Sequence, residues 1–174
     1  MSNGQNMISV SKLFFADDIP LVVTLAEEIW SECFTPIIGE AQVRYMLDLF
    51  QSHSAIQQQL NNGTHYYIAL LDQEPVGYIA FSKEANAVFV SKLYVKSERR
   101  KQGIAKHLFS FAKAYARFGD IKKIYLTVNK RNEIAITAYK SMGFKNIADV
   151  TKEIGEGFVM DDYHLELELE TDKK

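Results

Sequence analysis

The 174-residue chain lacks several features that would indicate a compartment or a cofactor. Cys33 is its one cysteine, so an intrachain disulfide and a metal site built from several thiolates are both excluded. No apolar run approaches the roughly 18 residues that predict a membrane span. Residues 1–7 lack the basic and then apolar order of a signal peptide, and we expect them to form a disordered tail. These absences predict a cytoplasmic protein with no membrane partner and no metal.

Charge of one sign is not in excess either. The chain has 20 lysines and arginines against 22 aspartates and glutamates, for a formal net charge of −2. Such a balance gives no electrostatic footprint for nucleic-acid binding. Hydrophobic residues make up 47% of the chain, which is enough for one core of ordinary size. We therefore predict a single domain over residues 8–170, with no nucleic-acid partner.

Prolines and glycines separate alternating strand and helix patterns. Pro20 is expected to open a first helix, and Pro36 and Gly39 are expected to end it. Gly119 and Gly143 are expected to close two later helices. The patterns predict helices at residues 20–34, 43–50, 55–60, 104–118 and 133–142, and strands at residues 8–14, 65–71, 76–81, 88–95, 124–128, 144–150 and 158–169.

A strand, a basic turn, a helix and another strand follow one another between residues 88 and 128. This order is a βαβ unit, which favours parallel pairing and places the turn at the carboxyl end of the first strand. Because hairpin patterns flank the unit, the sheet is expected to be mixed. The predicted fold class is α/β or α+β.

The basic turn has residues that suit an anion. Backbone N–H groups at a helix start are unpaired, and the helix dipole adds positive potential. Small side chains at two positions would let a phosphate approach the backbone. A pyrophosphate is the expected ligand, and a solvated basic turn with a glycine is the alternative. The missing P-loop pattern argues against a P-loop nucleotidase. The residues of the turn are Arg100, Lys101, Gln102, Gly103, Ile104, Ala105 and Lys106.

A second segment lies in the helix predicted at residues 133–142. Asn132 suits the N-cap of this helix, and Ala135, Ala138 and Tyr139 share one face. Small residues on that face would let a bound group lie close to the helix, with Tyr139 beside it. Read alone, Tyr139 is better explained as an aromatic residue of the core.

Together, these segments resemble the GCN5-related N-acetyltransferases, the GNAT family. The resemblance covers about residues 8–169 and implies a mixed, mostly antiparallel sheet of about seven strands, with helices on both faces and one parallel pair that splays apart. Residues 29–38 and 45–47 resemble, more loosely, bacterial members of the PaiA and diamine acetyltransferase type. The specific motifs are Leu93-Tyr94-Val95, Arg100-x-x-Gly103-x-Ala105 and Asn132-x-x-Ala135-x-x-x-Tyr139-x-x-x-Gly143-Phe144.

The resemblance implies that acetyl-coenzyme A is the co-substrate. The backbone of Leu93 and Val95, on either side of Tyr94, would pair with the pantetheine arm. Backbone N–H groups of residues 101–106 would hold the pyrophosphate. Asn132 would contact the coenzyme arm, and Tyr139 would lie beside the sulfur. The implied activity is acetyl transfer to a primary amine by direct attack in a ternary complex.

The resemblance also implies the catalytic groups. Tyr139 holds the general-acid position of the family, and the Val95 N–H would stabilise the oxyanion. Many relatives have a glutamate as the base in the preceding strand, where this chain has Ser91. A water relay or a carboxylate such as Glu84 would have to replace it, and both alternatives stay open.

The acceptor pocket is expected to be built by the first two helices and by the loops near Glu84 and residues 154–158. Aromatic rings and carboxylates there would suit a cationic amine such as a polyamine. Core packing and solvated helix faces explain the same residues, and a protein N-terminus, a lysine or an amino acid is an alternative acceptor. The two sets are Trp30, Phe34, Tyr45, Tyr66, Tyr67 and Tyr78, and Glu27, Glu28, Glu32, Glu40 and Asp48.

Two further alternatives concern the whole protein. A sensor that binds acyl-coenzyme A without turning it over is the alternative to an enzyme, because Ser91 stands where the family base is expected. The alternating C-terminal strand would allow a homodimer through a sheet edge, and a monomer fits equally well.

Overall fold

The computed structural model describes residues 7–13 and 16–170. They form two compact units. Unit 1 runs to Phe81 and includes Lys92–Phe111, and unit 2 comprises Ser82–Ser91 and the chain from Ala112 on. Most of the predicted tail, residues 1–6, and the predicted strand residue Phe14 lie outside the described residues. The single domain over residues 8–170 stays a prediction.

Unit 1 begins with a strand and three helices. Within the described residues these are β1 (Ile8–Lys12), α1 (Ile19–Ile38), α2 (Glu40–Gln51) and α3 (His53–Asn61). They are followed by β2 (His65–Leu71), β3 (Glu74–Glu84), β4 (Ala87–Val95) and α4 (Ile104–Phe118). The last three elements have residues in both units. None of the helices in the described ranges is long and apolar enough to cross a membrane.

Unit 2 contains the remaining elements, β5 (Lys123–Asn129), α5 (Glu133–Ser141), β6 (Lys145–Gly155) and β7 (Phe158–Glu168). The strand order of the sheet is β1-β2-β3-β4-β5-β7-β6. The β4–β5 pair is parallel, and the β1–β2, β2–β3, β5–β7 and β6–β7 pairs are antiparallel. This arrangement confirms the predicted mixed sheet of seven strands.

Adjacent residues of β2 show that the strands of unit 1 have helices on both faces. The ring of Tyr67 lies 4.8 Å from the ring of Phe111 in α4. The hydroxyl of Tyr66 donates to Gln59 of α3 at 2.6 Å. Because successive side chains of a strand point to opposite faces, α3 and α4 lie on opposite faces of β2.

Helix α1 is longer than predicted, because Pro36 lies inside it. A proline removes one hydrogen bond to the carbonyl four residues earlier, and in the last turn little of the helix depends on that bond. Gly39 has a φ of 84°, and its N–H donates to the carbonyl of Thr35 at 3.0 Å. The prediction that Gly39 ends the helix is confirmed, and the prediction that Pro36 breaks it is wrong.

Helix α4 has the predicted bounds, and Gly119 follows its last residue at the C-cap position. The residue with a positive φ is Asp120, at 52°, whereas the φ of Gly119 lies outside the left-handed region. The N–H of Ile121 donates to the carbonyl of Ala116 at 2.8 Å, a Schellman-type bond. Aspartate adopts the left-handed conformation more readily than most residues with a side chain. Gly119 therefore occupies the C-cap position, as predicted, and the left-handed residue is Asp120, which follows it.

A buried polar network joins α2 and α3 to the strands of unit 1. Gln51 Oε1 accepts from the Tyr78 hydroxyl at 2.6 Å, and Gln51 Nε2 donates to the Tyr66 hydroxyl at 3.2 Å. Gln59 Oε1 accepts from the Tyr66 hydroxyl at 2.6 Å and from Lys92 Nζ at 3.3 Å. Burial lowers the pKa of Lys92 to about 8, because desolvation disfavours the ammonium form.

Replacing Lys92 with methionine is expected to raise the free energy of unfolding at pH 7. The pKa of Lys92 falls from 10.5 to about 8 on folding. Between these values the unfolded chain binds a proton that the folded chain does not, so the burial penalty is fully present below pH 8 and is relieved as the pH rises. The gain at pH 7 is about 2 kcal/mol once the lost hydrogen bond is deducted, and it disappears near pH 10. Thermal melting of the wild type and of Lys92→Met at pH 7 and at pH 10 measures this gain in stability. A difference between the two proteins that is equal at both pH values would contradict the prediction.

Candidate active site

Strands β4 and β5 are paired in parallel over a short register in unit 2. Ala87 lies opposite Lys123, and Phe89 lies opposite Tyr125. Pairing therefore covers three positions, although β4 has nine residues and β5 has seven. Such a register agrees with the predicted parallel pair that separates toward its carboxyl ends.

The carboxyl end of β4 packs closely against β3 within unit 1. Leu93 and Val95 are buried, and the half-buried Tyr94 has its ring 5.4 Å from that of Trp30. Gly77 of β3 faces this segment. A Cβ there would lie 2.6 Å from the carbonyl oxygen of Tyr94 and 3.3 Å from the Cα of Val95. The strands can approach this closely because position 77 has no side chain, so β3 fixes the backbone that is predicted to pair with pantetheine.

The loop between β4 and α4 has a backbone shape that suits an anion. A short 3-10 turn, Ser97–Arg99, leads into it. The φ angles are 60° at Lys101 and 80° at Gly103, and α4 begins at Ile104. A Cβ built at Gly103 would have no heavy atom of the described residues within 4 Å. Loop N–H groups and the dipole of a 15-residue helix therefore face an accessible surface.

The basic side chains of this loop have different partners. Arg99 Nη2 lies 3.6 Å from Glu74 Oε2, so its charge is largely compensated. Arg100 Nε donates to the last carbonyl of β4 at 3.3 Å, which ties the loop to the strand. Lys101 and Lys106 are exposed. Of the basic residues in this segment, Arg100, Lys101 and Lys106 are the better candidates for a phosphate.

The other predicted ligands of the loop differ in burial. Gln102 is exposed and Ala105 is half-buried. Ile104 is 1% exposed, so its side chain belongs to the core and only its backbone N–H would serve a phosphate.

Replacing Gly103 with alanine is expected to weaken coenzyme A binding about tenfold. Alanine at a φ of 80° costs about 1 kcal/mol, and its methyl group would stand where a phosphate approaches. Calorimetric titration with coenzyme A gives the Kd. Gly63→Ala is the matched control, because Gly63 has a φ of 90° and equally open surroundings in the turn after α3. If both variants bound coenzyme A equally weakly, backbone strain and not the phosphate site would explain the loss of affinity in Gly103→Ala.

Helix α5 of unit 2 is capped as predicted. The Oδ1 of Asn132 accepts from the N–H of Ala135 at 3.3 Å, and Asn132 is 8% exposed. Tyr139 is half-buried, with its ring 5.7 Å from that of Phe144 in an edge-on arrangement. Ala138 is exposed and Ala135 is half-buried. The contact with Phe144 orients the ring of Tyr139.

Four of the aromatic residues expected in the acceptor pocket lie in the core instead. Tyr66 and Tyr78 are fully buried, and Trp30 and Phe34 are 3% and 8% exposed. Trp30 packs edge-on against Phe34, with ring centroids 5.8 Å apart. Burial raises the pKa of Tyr78 well above its ordinary value, because ionisation inside the core is unfavourable. These rings stabilise unit 1 and are not positioned to bind an acceptor.

An acidic groove of about 370 Å³ lies between α1 and α2 in unit 1. Three of the five predicted carboxylates line it, and one of them, Glu40, lies 3.8 Å from Arg44. The other two predicted carboxylates have partners elsewhere, since Glu28 pairs with Lys96 at 3.3 Å and Glu32 accepts from the Ser97 hydroxyl at 2.6 Å. The groove residues are Glu27, Ser31, Thr35, Glu40, Val43, Arg44, Leu47 and Asp48.

One face of unit 2 has a row of stacked rings. Tyr125 of β5 stacks on Phe89 at 4.8 Å and on His164 at 4.9 Å. The Tyr125 hydroxyl donates to Glu84, and burial, followed by this carboxylate, raises the pKa of Tyr125. His164 Nε2 lies 3.1 Å from Glu166 Oε1. Glu84 is one predicted substitute for the missing base. It is exposed, and its carboxylate already accepts the hydrogen bond from Tyr125.

Asp162 of β7 is a candidate that the sequence analysis did not identify. It is 6% exposed and lies opposite Asn129 at the end of β5. The hydroxyl of Thr127 donates to its carboxylate. Because β7 alternates, the adjacent Asp161 and Asp162 point to opposite faces. The sequence shows such a pair but not which member is buried.

Comparison with known proteins agrees with this geometry. The model of the Acetyltransferase (GNAT) family matches residues 24–144. Over 57 residues the chain is 35% identical to GCN5-related N-acetyltransferase 6, chloroplastic, of Arabidopsis thaliana. The aligned stretch covers 33% of this chain and 20% of that protein. It is 20% identical over 162 residues to an uncharacterised N-acetyltransferase in the pepI 3′ region of Lactobacillus delbrueckii subsp. lactis, covering 88% of this chain and 91% of that protein.

Solved structures show the same fold. The PaiA N-acetyltransferase of Thermoplasma acidophilum, in complex with coenzyme A, aligns with a TM-score of 0.78 over 93% of this chain and 99% of that chain. The two sequences are 22% identical, so the likeness concerns the fold. The chain spans a fifth of the length of its Arabidopsis relative but nearly all of the bacterial and archaeal ones. The family match covers more than two thirds of the 174 residues, and this protein is therefore an acetyltransferase of the GNAT family.

Proposed function

We propose that the protein transfers an acetyl group from acetyl-coenzyme A to a primary amine of a small cationic molecule, such as a polyamine. Transfer is by direct attack in a ternary complex. The observation that supports this most is the loop between β4 and α4, where two residues of positive φ precede a 15-residue helix. A backbone of this shape suits the pyrophosphate of the coenzyme.

The proposed coenzyme contacts are those that the family resemblance implies for this chain. The backbone of Leu93–Val95 pairs with the pantetheine arm, as an added strand would. The N–H groups of residues 101–106 hold the pyrophosphate, with Arg100 contributing charge. Asn132 contacts the arm at the start of α5, and Tyr139, further along that helix, lies beside the sulfur.

The reaction begins with a neutral amine. Its nitrogen attacks the thioester carbonyl carbon, and the Val95 N–H stabilises the oxyanion that forms. The C–S bond then breaks as the amide forms, and the departing thiolate takes a proton from the Tyr139 hydroxyl. A phenolic hydroxyl can donate a hydrogen bond and a proton, which suits a donor to a thiolate.

The groove between α1 and α2 supports a cationic acceptor. Its volume of about 370 Å³ is in the range of small-molecule sites. Glu27 and Asp48 line it, and neither is the carboxylate that pairs with Arg44. A second ammonium group of a polyamine bound to these carboxylates would hold the molecule while its other amine reacts.

Coenzyme A release from acetyl-coenzyme A, measured with spermidine, spermine, amino acids and peptides, tests the proposal. We expect saturable release with a polyamine, and a KM that rises about tenfold in the Glu27→Gln and Asp48→Asn variants with kcat unchanged. Release with peptides alone would refute the polyamine assignment. Tight coenzyme binding without release for any amine would favour an acyl-coenzyme A sensor.

A further inference from the structure

We propose that Asp162 is the general base that deprotonates the acceptor amine. The inference rests on the proposed function and supplies the base that Ser91 cannot provide. Asp162 belongs to unit 2, on the strand that pairs with β5.

The position of Asp162 is set by the pairing of β5 with β7. Thr127 lies opposite His164, and Asn129 lies opposite Asp162. Since side chains alternate, Thr127 and Asp162 lie on one face of the sheet, the face on which Tyr125 stacks on His164. Asn129 is the last residue of β5, three positions before Asn132. Asp162 therefore lies at the carboxyl end of β5, from which the chain continues to the helix that bears Tyr139.

The charges around Asp162 leave its carboxylate with little compensation. Lys130 is the nearby cation, but its Nζ lies 2.7 Å from Asp161 Oδ1 and 3.1 Å from Asp149 Oδ2. The Lys130 N–H also donates to the backbone carbonyl of Asp161 at 3.1 Å. Lys130 is thus shared between the exposed carboxylates of Asp149 and Asp161. The buried carboxylate of Asp162 instead accepts a hydrogen bond from the Thr127 hydroxyl. Asp162 is 6% exposed, and an aspartate this buried is rarely found without a partner of opposite charge.

These surroundings give Asp162 a proton affinity that suits the task. The pKa of Asp162 is raised to about 6 by the balance of four effects. Desolvation raises it most, the hydrogen bond from Thr127 lowers it, the charge of Asp161 raises it and the charge of Lys130 lowers it. Other charged or titratable groups of this part of unit 2 are Asp149 on β6, Arg131, whose charge acts on Asp161, and His164 on β7, which lies beside Glu166. A base with a pKa near 6 is ionised at pH 7 and still takes up a proton.

The proton balance is complete without a further reactant. The Asp162 carboxylate takes one proton from the ammonium group of the acceptor, which leaves a neutral amine. This amine forms the amide bond as the C–S bond breaks, and the Tyr139 hydroxyl protonates the thiolate, so that coenzyme A leaves as the thiol. The second proton of the nitrogen then restores the Tyr139 hydroxyl. Asp162 then releases its proton to water, so each turnover yields one amide, one thiol and one proton.

The Asp162→Asn variant is the direct test, with Asp161→Asn as the matched control. The control removes the neighbouring exposed carboxylate and leaves Asp149 beside Lys130. With spermidine, or with the amine of the panel that has the highest kcat/KM, we expect Asp162→Asn to lower kcat/KM at pH 7 at least 100-fold. The acid limb of the pH profile, near pH 6 in the wild type, should disappear. Asp161→Asn should keep the rate at pH 7 and should still show the acid limb, moved to slightly lower pH because the charge of Asp161 raises the pKa of Asp162.

A second variant keeps the test valid if Asp162→Asn folds poorly. Thr127→Val keeps the carboxylate but removes its donor, so the acid limb should move up by about 0.5 pH unit. An unchanged profile in Thr127→Val, or wild-type activity in a folded Asp162→Asn protein, would overturn this inference alone. A wild-type protein that releases no coenzyme A with any amine would overturn the proposed function and this inference with it.

Discussion

The Tyr139→Phe variant is expected to lose about 10²- to 10³-fold in kcat while its Kd for coenzyme A stays within twofold of the wild type. The phenylalanine ring keeps the edge-on contact with Phe144, 5.7 Å away in the wild type, so α5 should fold normally. What is lost is the hydroxyl that is proposed to protonate the departing thiolate. Without it, a thiolate must leave unprotonated or take its proton from water.

The leaving group provides a sharper readout for Tyr139. A thioester whose thiol has a low pKa needs less help from an acid, so the rate deficit of Tyr139→Phe should shrink with such a donor. Phe144→Leu is the control, because it disturbs the packing of the same ring and leaves the hydroxyl in place. If Phe144→Leu loses as much kcat as Tyr139→Phe, then Tyr139 acts through packing. An equal deficit with every thioester would also argue against a proton donor.

Gly77→Ala is expected to destabilise the protein by about 1–3 kcal/mol and to weaken coenzyme binding as well. The added Cβ would lie 2.6 Å from the carbonyl oxygen of Tyr94, and that oxygen belongs to backbone that cannot rotate away. The strands must separate, which moves Leu93 and Val95 from the positions proposed to pair with pantetheine. A domain of this size loses roughly 2–4 °C in Tm for each kcal/mol.

Gly119→Ala is the matched control for this effect. Its Cβ would lie 3.4 Å from the nearest atom, Ile121 Cδ1, and its φ is outside the left-handed region. We expect its Tm and its Kd for coenzyme A to match the wild type. A Gly77→Ala variant that kept both values would show that β3 and β4 adjust without cost, and the fixed position of Leu93–Val95 would then have to be abandoned.

Local sequence determined most of the elements around the site. The bounds of α4 are those predicted from its pattern, and Asn132 caps α5 with the hydrogen bond expected of an asparagine there. The paired strands around that βαβ unit were predicted within one residue. These features depend on hydrogen bonds and dihedral preferences that span fewer than five residues, so they can be read without the rest of the chain.

Where local signals competed, the sequence was a poorer guide. Pro36 and Gly39 both predicted a helix end, and only the glycine, at a φ of 84°, produced one. Strand β6 ends at Gly155 and not at residue 150, because it pairs with β7 through two register shifts. Bulges of this kind depend on the partner strand, which the pattern of one segment does not contain.

Burial and long-range partners were decided by the tertiary structure alone. Tyr66 and Tyr78 were predicted beside the acceptor, and the fold places both in the core, bonded to Gln51, a residue 15 and 27 positions away. Asp161 and Asp162 are identical in type and adjacent, yet one is exposed and the other is buried. The register of β7 against β5 makes that choice, because it sets which side chain faces solvent and which is desolvated. The sequence by itself thus determined the family, the elements and the coenzyme motifs, whereas strand pairing decided which carboxylate could act as a base.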